Sequence, residues 1–189
     1  MSIQKIIKSR RTTKPLFYTG EKIEESDIKE MLECANWAPT HKYTEPWRFI
    51  VYADNAKDQF GIDHAEMYKE LKPKEDFIER VYNKLSVISK KSSHMIAVVM
   101  KRDEQERIEE IEEVCAVASA FQNMLLVATE KGIANIWSTS GMTHHPKMKE
   151  YLGFEKKDRI IGFLYLGVSD KKIIAKRVST VEEKVIWKR

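Results

Sequence analysis

The residues near the N-terminus that could do chemistry are cations followed by hydroxyl groups, in the order Ser9-Arg10-Arg11-Thr12-Thr13-Lys14. A guanidinium group matches two oxygens of a phosphate at once, so Arg10 and Arg11 are candidates to bind an anionic ligand. The alternative is that they only complement the dipole at the C-terminal end of a short helix, where positive charge is favourable. The residue types alone leave both interpretations open.

A second group of polar and aromatic side chains lies in the loop between Pro39 and Pro46. Each proline fixes its own φ angle and keeps the residue before it out of the helical region, so the loop is predicted to be rigid. It contains His41 and is followed by Trp47. Rigid loops on a firm scaffold often carry binding residues, although a purely structural connector is the alternative.

Several common kinds of site are excluded or disfavoured. No two of the seven glycines lie within four positions of each other, which excludes both the Gly-x-Gly-x-x-Gly fingerprint and the P-loop. The run Ser138-Thr139-Ser140-Gly141 lacks the Gly-x-Ser-x-Gly elbow of serine hydrolases. The adjacent His144 and His145 point apart, and His64 and His94 stand alone, so no metal site is expected. A nucleotide phosphate would have to be held by side chains.

The composition is typical of one globular domain, which is predicted to span residues 1–189 with 42% hydrophobic and 33% charged residues. The net charge of +4 and the separation of basic from aromatic residues disfavour a nucleic-acid partner. The sequence shows neither a signal peptide nor a membrane span of about 20 apolar residues. Cys34 and Cys115 have no Cys-x-x-Cys partner and are predicted to be buried free thiols. These features predict a cytoplasmic protein.

The spacing of apolar residues predicts the elements that must position these groups. Helices are predicted around residues 3–7, after a cap at Ser26, and over residues 75–91, 104–131 and 146–153. Strands are predicted over residues 48–53, 95–100, 133–137 and 160–166. Alternating helices and strands around one mixed sheet indicate an α+β or α/β fold.

Two surfaces predict a homodimer. The second half of the longest helix is apolar almost all round. The C-terminal segment 171–189 is polar and extended, with isolated apolar residues such as Val178 and Trp187 that have no obvious local partner. We expect this extension to pack on a second subunit.

Four blocks, in this order and at these separations, together resemble the nitroreductase family of FMN-dependent oxidoreductases. They are the Ser9–Lys14 block, the loop between Pro39 and Pro46 (called the double-proline loop below), Gly132–Thr139, and Ile160–Gly167 followed by Lys176-Arg177. The likeness covers nearly the whole chain and is greatest to the small single-domain branch, whose loop carries Pro-x-His-Lys before Pro-Trp. The resemblance implies a homodimer of mixed sheets flanked by helices.

The resemblance also implies a role for particular residues at a non-covalently bound FMN. It places Arg10, Arg11, Thr12 and Arg177 on the phosphate and ribityl chain, Lys14 at the N1–C2 edge of the ring, Trp137, Ser138 and Thr139 along the ring, and Trp37 and His41 at the FMN of the other subunit. The alternatives are a solvated lysine for Lys14 and core packing for Trp137.

By the same resemblance, NADH or NADPH would reduce the flavin, which would then reduce a nitroaromatic, a quinone or a similar small acceptor. No catalytic acid is identifiable. Tyr43 and Glu45 replace the commoner Asn and Gln of the loop, so the preferred acceptor stays open. The alternative from another class is a flavin-binding sensor or storage protein without turnover.

Overall fold

A four-stranded sheet forms the centre of the computed structural model, which describes residues 2–189. The strands are β1 (Trp47–Ala53), β2 (His94–Met100), β3 (Ala134–Ser138) and β4 (Arg159–Gly167). They lie in the order β1-β2-β4-β3, and all three pairings are antiparallel. The four strand predictions are confirmed to within one or two residues.

Helices cover both faces of the sheet, which confirms the predicted α+β class. They are α1 (Ile3–Ser9), α2 (Glu25–Asn36), α3 (Asp54–Leu71), α4 (Glu79–Lys91), α5 (Glu110–Glu130) and α6 (Pro146–Tyr151). The helices α2 and α5 share one apolar core with the sheet, whereas α3, α4 and α6 share the other. The strand β2 is buried on both faces because its side chains alternate between these two cores.

The predicted sheet was mixed, but the observed sheet is antiparallel, because two helices, α3 and α4, connect β1 to β2. Only α4 was predicted. One helix between β1 and β2 would make a βαβ unit, whose strands run parallel. Instead, α3 and α4 pack together as a helical hairpin, so the chain returns to the sheet in the opposite direction.

Three predicted helix starts were wrong. The helix α4 begins at Glu79 rather than at residue 75, after a separate 3₁₀ turn at Lys74–Asp76. The N-cap of α2 is Glu24, and Ser26 lies inside the first turn, where Glu25 and Asp27 provide the negative charge that a helix start favours. The long helix starts at Glu110 rather than at residue 104. The residues before it form a loop, because the buried Arg102 turns back to pair with Glu113.

The helix α5 passes the length and hydropathy criteria for a membrane-crossing helix, with a mean hydropathy of 1.4 over 18 residues. Its apolar composition is explained by its position, because side chains such as Phe121 and Met124 are fully buried against the sheet. Cys115 lies on the exposed side of this helix and Cys34 is half-buried, so the prediction of two buried thiols was wrong.

The C-terminal segment carries its apolar side chains in solvent. After β4, the only regular structure among the described residues is a 3₁₀ turn at Glu182–Lys184. Ile174, Val178, Ile186 and Trp187 are 78–93% exposed. Among residues 2–189 of one chain, these side chains therefore have little to pack against.

Candidate functional site

The Arg10–Lys14 segment lies along the outer edge of β3. The helix α1 ends at Ser9, and the chain then runs extended, so that the Thr13 N–H donates a hydrogen bond to the Asn135 carbonyl at 2.9 Å. The β3 edge would otherwise be unpaired. This pairing brings the predicted phosphate-binding residues beside the predicted Trp137–Thr139 segment, which begins two residues after Asn135.

The two arginines of this segment differ in what they contact. The Arg11 Nη1 donates to the carbonyls of Lys8 and Arg10, both at 2.7 Å, so Arg11 partly serves the helix end, as the alternative interpretation expected. Its Nε is buried and has no partner within residues 2–189. Arg10 makes no side-chain hydrogen bond or ion pair to any described residue. An uncompensated guanidinium next to a buried, unused N–H donor fits an anionic, oxygen-rich ligand.

A cavity of about 500 Å³ opens beside Lys14. This volume lies within the range of 300–1,000 Å³ that small-molecule sites usually occupy. Lys14, Pro15 and Leu16 form one side of the cavity with Ile136 of β3, and α4 forms the other side. Sequence reasoning found Lys14 but missed the contribution of α4. The sequence does show Arg80, Lys84 and Lys91 recurring on one helical face, but the same pattern is typical of an ordinary solvated helix surface.

Trp137 points to the opposite side of β3 from Ile136. Its ring stacks on Phe121 of α5 with centroids 3.9 Å apart and planes 16° apart, and its Nε1 donates to the Ile161 carbonyl at 3.0 Å. A side chain at Gly162 would meet Trp137, since a Cβ there would lie 2.3 Å from Nε1. Core packing within one chain therefore accounts for the Trp137 ring. Its contact with a flavin stays a prediction.

The next two residues of the same segment, Ser138 and Thr139, differ in their exposure. Ser138 is buried and its Oγ lies 3.1 Å from the Oγ of Ser140, whereas Thr139 is exposed. The turn that follows is held by His64, whose Nε2 accepts a hydrogen bond from the Met142 N–H at 2.9 Å. Burial lowers the pKa of His64 from 6.5 to about 4, so the ring is neutral and acts as an acceptor.

The double-proline loop is strained and held by contacts to the start of α5. Lys42, Tyr43 and Glu45 have φ angles of 49°, 54° and 41°, a region that costs energy for residues other than glycine. The His41 Nδ1 lies 2.7 Å from a carboxylate oxygen of Glu112. The Lys42 Nζ donates to the Arg107 carbonyl at 2.9 Å. These two contacts fix the loop despite its backbone strain.

Two predicted site regions stay apart from the Arg10–Lys14 segment within one chain. Trp37 is 80% exposed, and its Nε1 donates only to Glu33 on its own helix, at 3.0 Å. Arg177 lies in the exposed C-terminal segment and bonds only to the carbonyl of Lys176, at 3.3 Å. Across residues 2–189, no hydrogen bond or ion pair links either region, or His41, to the segment beside β3.

Within the part of the chain that the structure describes, no three His, Cys, Asp or Glu side chains come together as a possible metal site. Two histidines that were weighed as ligands have structural roles instead. His64 of α3 is buried against the turn that follows β3. His145 is the N-cap of α6, where its Nδ1 accepts a hydrogen bond from the Lys147 N–H at 3.2 Å.

Comparison with known proteins gives consistent results. The model of the Nitroreductase family matches residues 7–168. YfhC of Bacillus subtilis (strain 168), assigned by name to the NAD(P)H nitroreductases, is 28% identical over 183 residues, or 96% of this chain and 92% of the relative. The crystal structure of a nitroreductase-like family protein from Bacillus cereus has a TM-score of 0.84 and 28% identity, covering 99% of this chain and 96% of that one. The FMN-dependent nitroreductase NfnB of Mycobacterium smegmatis, crystallised with NADPH, has the same fold, with a TM-score of 0.74 at 16% identity over 98% of this chain and 97% of that one.

Proposed function

Because this chain belongs to the nitroreductase family, we propose that it is an FMN-dependent oxidoreductase that takes electrons from NADH or NADPH. Its acceptors would be small molecules such as nitroaromatics and quinones. One observation carries the proposal: Arg10 and Lys14, which form no ion pair with any described residue, lie beside β3, and a cavity of about 500 Å³ opens next to Lys14. The free thiols Cys34 and Cys115 favour a reducing compartment, and we propose the cytoplasm.

The residues of this chain would hold and tune the cofactor. Bound FMN supplies the redox chemistry by accepting a hydride and passing electrons on. Arg10 and Thr12 would bind its phosphate and ribityl chain through charge-assisted hydrogen bonds, with Arg177 as a further phosphate contact. The Lys14 ammonium would stabilise the negative charge that reduction places on the ring. Ser138 and Thr139, at the end of β3, would line the ring.

The absorbance of the purified protein tests this function directly. We expect flavin bands near about 370 and 450 nm, which NADH or NADPH bleaches without oxygen and an added quinone restores. Bands that neither nucleotide bleaches would favour the non-catalytic flavin-binding alternative. A colourless protein that also fails to bind added FMN would contradict both.

Removing the phosphate-binding cations should weaken FMN retention. We expect Arg10→Ala or Arg177→Ala to cost about 1.5–3 kcal/mol of binding free energy, the usual value of a charge-assisted hydrogen bond. The dissociation constant for FMN would then rise by roughly 10- to 150-fold. Fluorescence titration of the apoprotein with FMN measures it. Lys8→Ala removes a nearby charge as the matched control and should leave the constant unchanged, whereas equal affinity of the Arg10 variant and the parent would refute the phosphate assignment.

We further propose that the protein is a homodimer and that each FMN site is completed by both subunits. Within one chain, Trp37 and His41 do not meet the Arg10–Lys14 segment, and the apolar side chains of the 171–189 extension are exposed. Obligate homodimer interfaces commonly bury about 2,000–5,000 Å² of largely apolar surface. The exposed extension offers apolar surface of this kind.

Truncation after Ser179 tests the shared site. The shortened chain lacks Trp187 and Ile186, so we expect its dimer to dissociate at a higher protein concentration than the full-length dimer does, and to lose FMN in the same range. Light scattering and flavin absorbance, measured on the same samples, report the two properties. The full-length variant Lys188→Gln is a control that should keep both. A monomeric truncated protein that retains stoichiometric FMN would refute the shared-site proposal.

A further inference from the structure

One face of α4 presents three cations to the cavity beside Lys14. Arg80, Lys84 and Lys91 recur at intervals of four and seven residues, which places them on the same side of a helix. Val87 lies between them on this face, and all four residues line the cavity. The cations are exposed at its rim rather than buried in its wall.

These cations have no negative partners. No ion pair among residues 2–189 involves Lys14, Arg80, Lys84 or Lys91, and no acidic residue lines the cavity. Lys131, by contrast, pairs with two carboxylates at 2.6 and 2.8 Å. A cleft whose charges all have one sign, set on apolar walls, raises the local concentration of ions of the opposite sign. The cavity is therefore built to attract an anion.

The walls between the cations are apolar. Leu16 and Ile136 face the cavity from one side, and Val81, Val87 and Ile88 face it from the other. Apolar surface of this kind binds the hydrocarbon or aromatic part of a ligand, and a few polar groups then fix the orientation of the ligand. The combination fits an apolar ring system that carries a negative substituent.

We propose that this cavity selects quinone acceptors that bear a carboxylate or sulfonate group, with Arg80, Lys84 and Lys91 as the residues that bind the anion. The inference rests on the proposed function, in which Lys14 faces the flavin and the cavity adjoins it. The net reaction is unchanged by the substituent: NADH, a proton and the quinone give NAD⁺ and the hydroquinone. The anionic group contributes binding and orientation only.

A pair of acceptors that differ in charge tests the proposal. With NADH as donor, kcat/KM is measured for 1,4-naphthoquinone and for its 2-sulfonate, in the parent and in the triple variant Arg80→Gln, Lys84→Gln, Lys91→Gln. We expect the ratio of the sulfonate value to the neutral value to fall by about tenfold or more in the variant. The control variant Lys72→Gln, Lys74→Gln, Lys90→Gln removes the same charge outside the cavity, so the ratio should stay that of the parent.

A binding measurement keeps this inference separate from the proposed function. Naphthalene-2-sulfonate cannot be reduced as a quinone can, and calorimetry on the FMN-loaded protein should show it binding about tenfold or more weakly to the triple variant. If the triple variant binds naphthalene-2-sulfonate more weakly than the parent but the parent reduces no quinone, the result contradicts the proposed function and leaves the anion-binding role of these cations intact. An unchanged acceptor ratio, or equal binding by the parent and the variant, would overturn the inference. Loss of FMN from the variant would also overturn it, because these cations would then belong to the cofactor site.

Discussion

Replacing Glu113 with leucine is expected to lower the free energy of unfolding by about 3–5 kcal/mol, the usual cost of removing one partner of a buried ion pair. The Glu113 side chain is fully buried, and it pairs with Arg102, whose side chain is 9% exposed. It also accepts a hydrogen bond from the Asp103 N–H at 3.0 Å. Without the carboxylate, a buried guanidinium and a backbone donor would both lose their partner.

Thermal and urea denaturation at fixed protein and FMN concentrations measure this loss, since ligand and assembly both shift apparent stability. Glu110→Leu is the matched control on the same helix. It removes an exposed ion pair with Arg159, whose worth is below about 1 kcal/mol. Adding Arg102→Met to Glu113→Leu should restore much of the stability, because an apolar pair leaves no buried charge. A double variant no more stable than Glu113→Leu would contradict this explanation.

The same buried pair supports the candidate site. It anchors the loop before α5, and the Arg107 carbonyl in that loop accepts the hydrogen bond from Lys42 at 2.9 Å. The adjacent Glu112 contacts His41 at 2.7 Å. Loss of Glu113 therefore removes the support of the strained double-proline loop as well as stability. Proposed contacts of His41 with FMN would weaken in the same variant.

The parts of the fold that the sequence predicts well are those with a strong apolar signal. The strand β2 is buried throughout, and after its first residue it is the continuous apolar run Met95–Met100. The helix α5 shows a long apolar pattern that ends before Gly132. Burial of such residues drives folding, so the elements that they form are visible in the sequence.

The helix α3, which was not predicted, has only a weak apolar signal in the sequence. It buries a lysine, a glycine and a histidine (Lys57, Gly61 and His64) together with only a few apolar side chains. At Gly61, a Cβ would lie 2.9 Å from Ser89, so close packing on α4 replaces a large apolar contact. Periodicity of large apolar residues cannot reveal a helix that packs through small and polar ones.

The residues of the candidate site can be picked out one by one in the sequence, but their arrangement cannot. Arg10 and Lys14 stand out by their chemistry and by the family resemblance. The cavity beside them needs Ile136 and α4, which are distant in sequence and meet only in the folded chain. The position of Trp137 also depended on tertiary structure, since its partner Phe121 lies on another element. Because side chains alternate along β3, Ile136 faces the cavity and Trp137 faces Phe121 on the other side of the strand.

Acid should destabilise the protein through His64. This side chain is 2% exposed, packs against the rings of Phe60 and Phe163 with centroid distances of 5.7 Å to each, and has an Nδ1 without a partner among the described residues. Burial lowers its pKa from 6.5 to about 4, since a charged ring would lose its hydration there. Protonation would also remove the acceptor that holds the Met142 N–H.

The direction of the pH effect follows from where the proton binds. Above pH 6.5 the ring is neutral in both states, and its contribution to stability is complete. As the pH falls from 6.5 to about 4, the unfolded chain binds a proton that the folded protein refuses, so stability decreases. The difference of about 2.5 between the two pKa values corresponds to about 3.5 kcal/mol, at about 1.4 kcal/mol for each pH unit, and about 3 kcal/mol of this is lost by pH 4. Below about pH 4 the folded protein also binds the proton, and this loss levels off.

Urea denaturation between pH 7.5 and pH 4 measures this effect as a difference between variants. His64→Gln keeps an acceptor for the Met142 N–H but cannot be protonated, so the stability of the parent should fall by about 3 kcal/mol more than that of the variant. Carboxylates titrate in both proteins and cancel in the difference. His144→Gln replaces an exposed histidine nearby and should follow the parent. Parallel curves for the parent and His64→Gln would show that His64 does not carry the acid sensitivity. Because His64 holds the turn that follows Ser138 and Thr139, acid that protonates it should also release this side of the candidate flavin site.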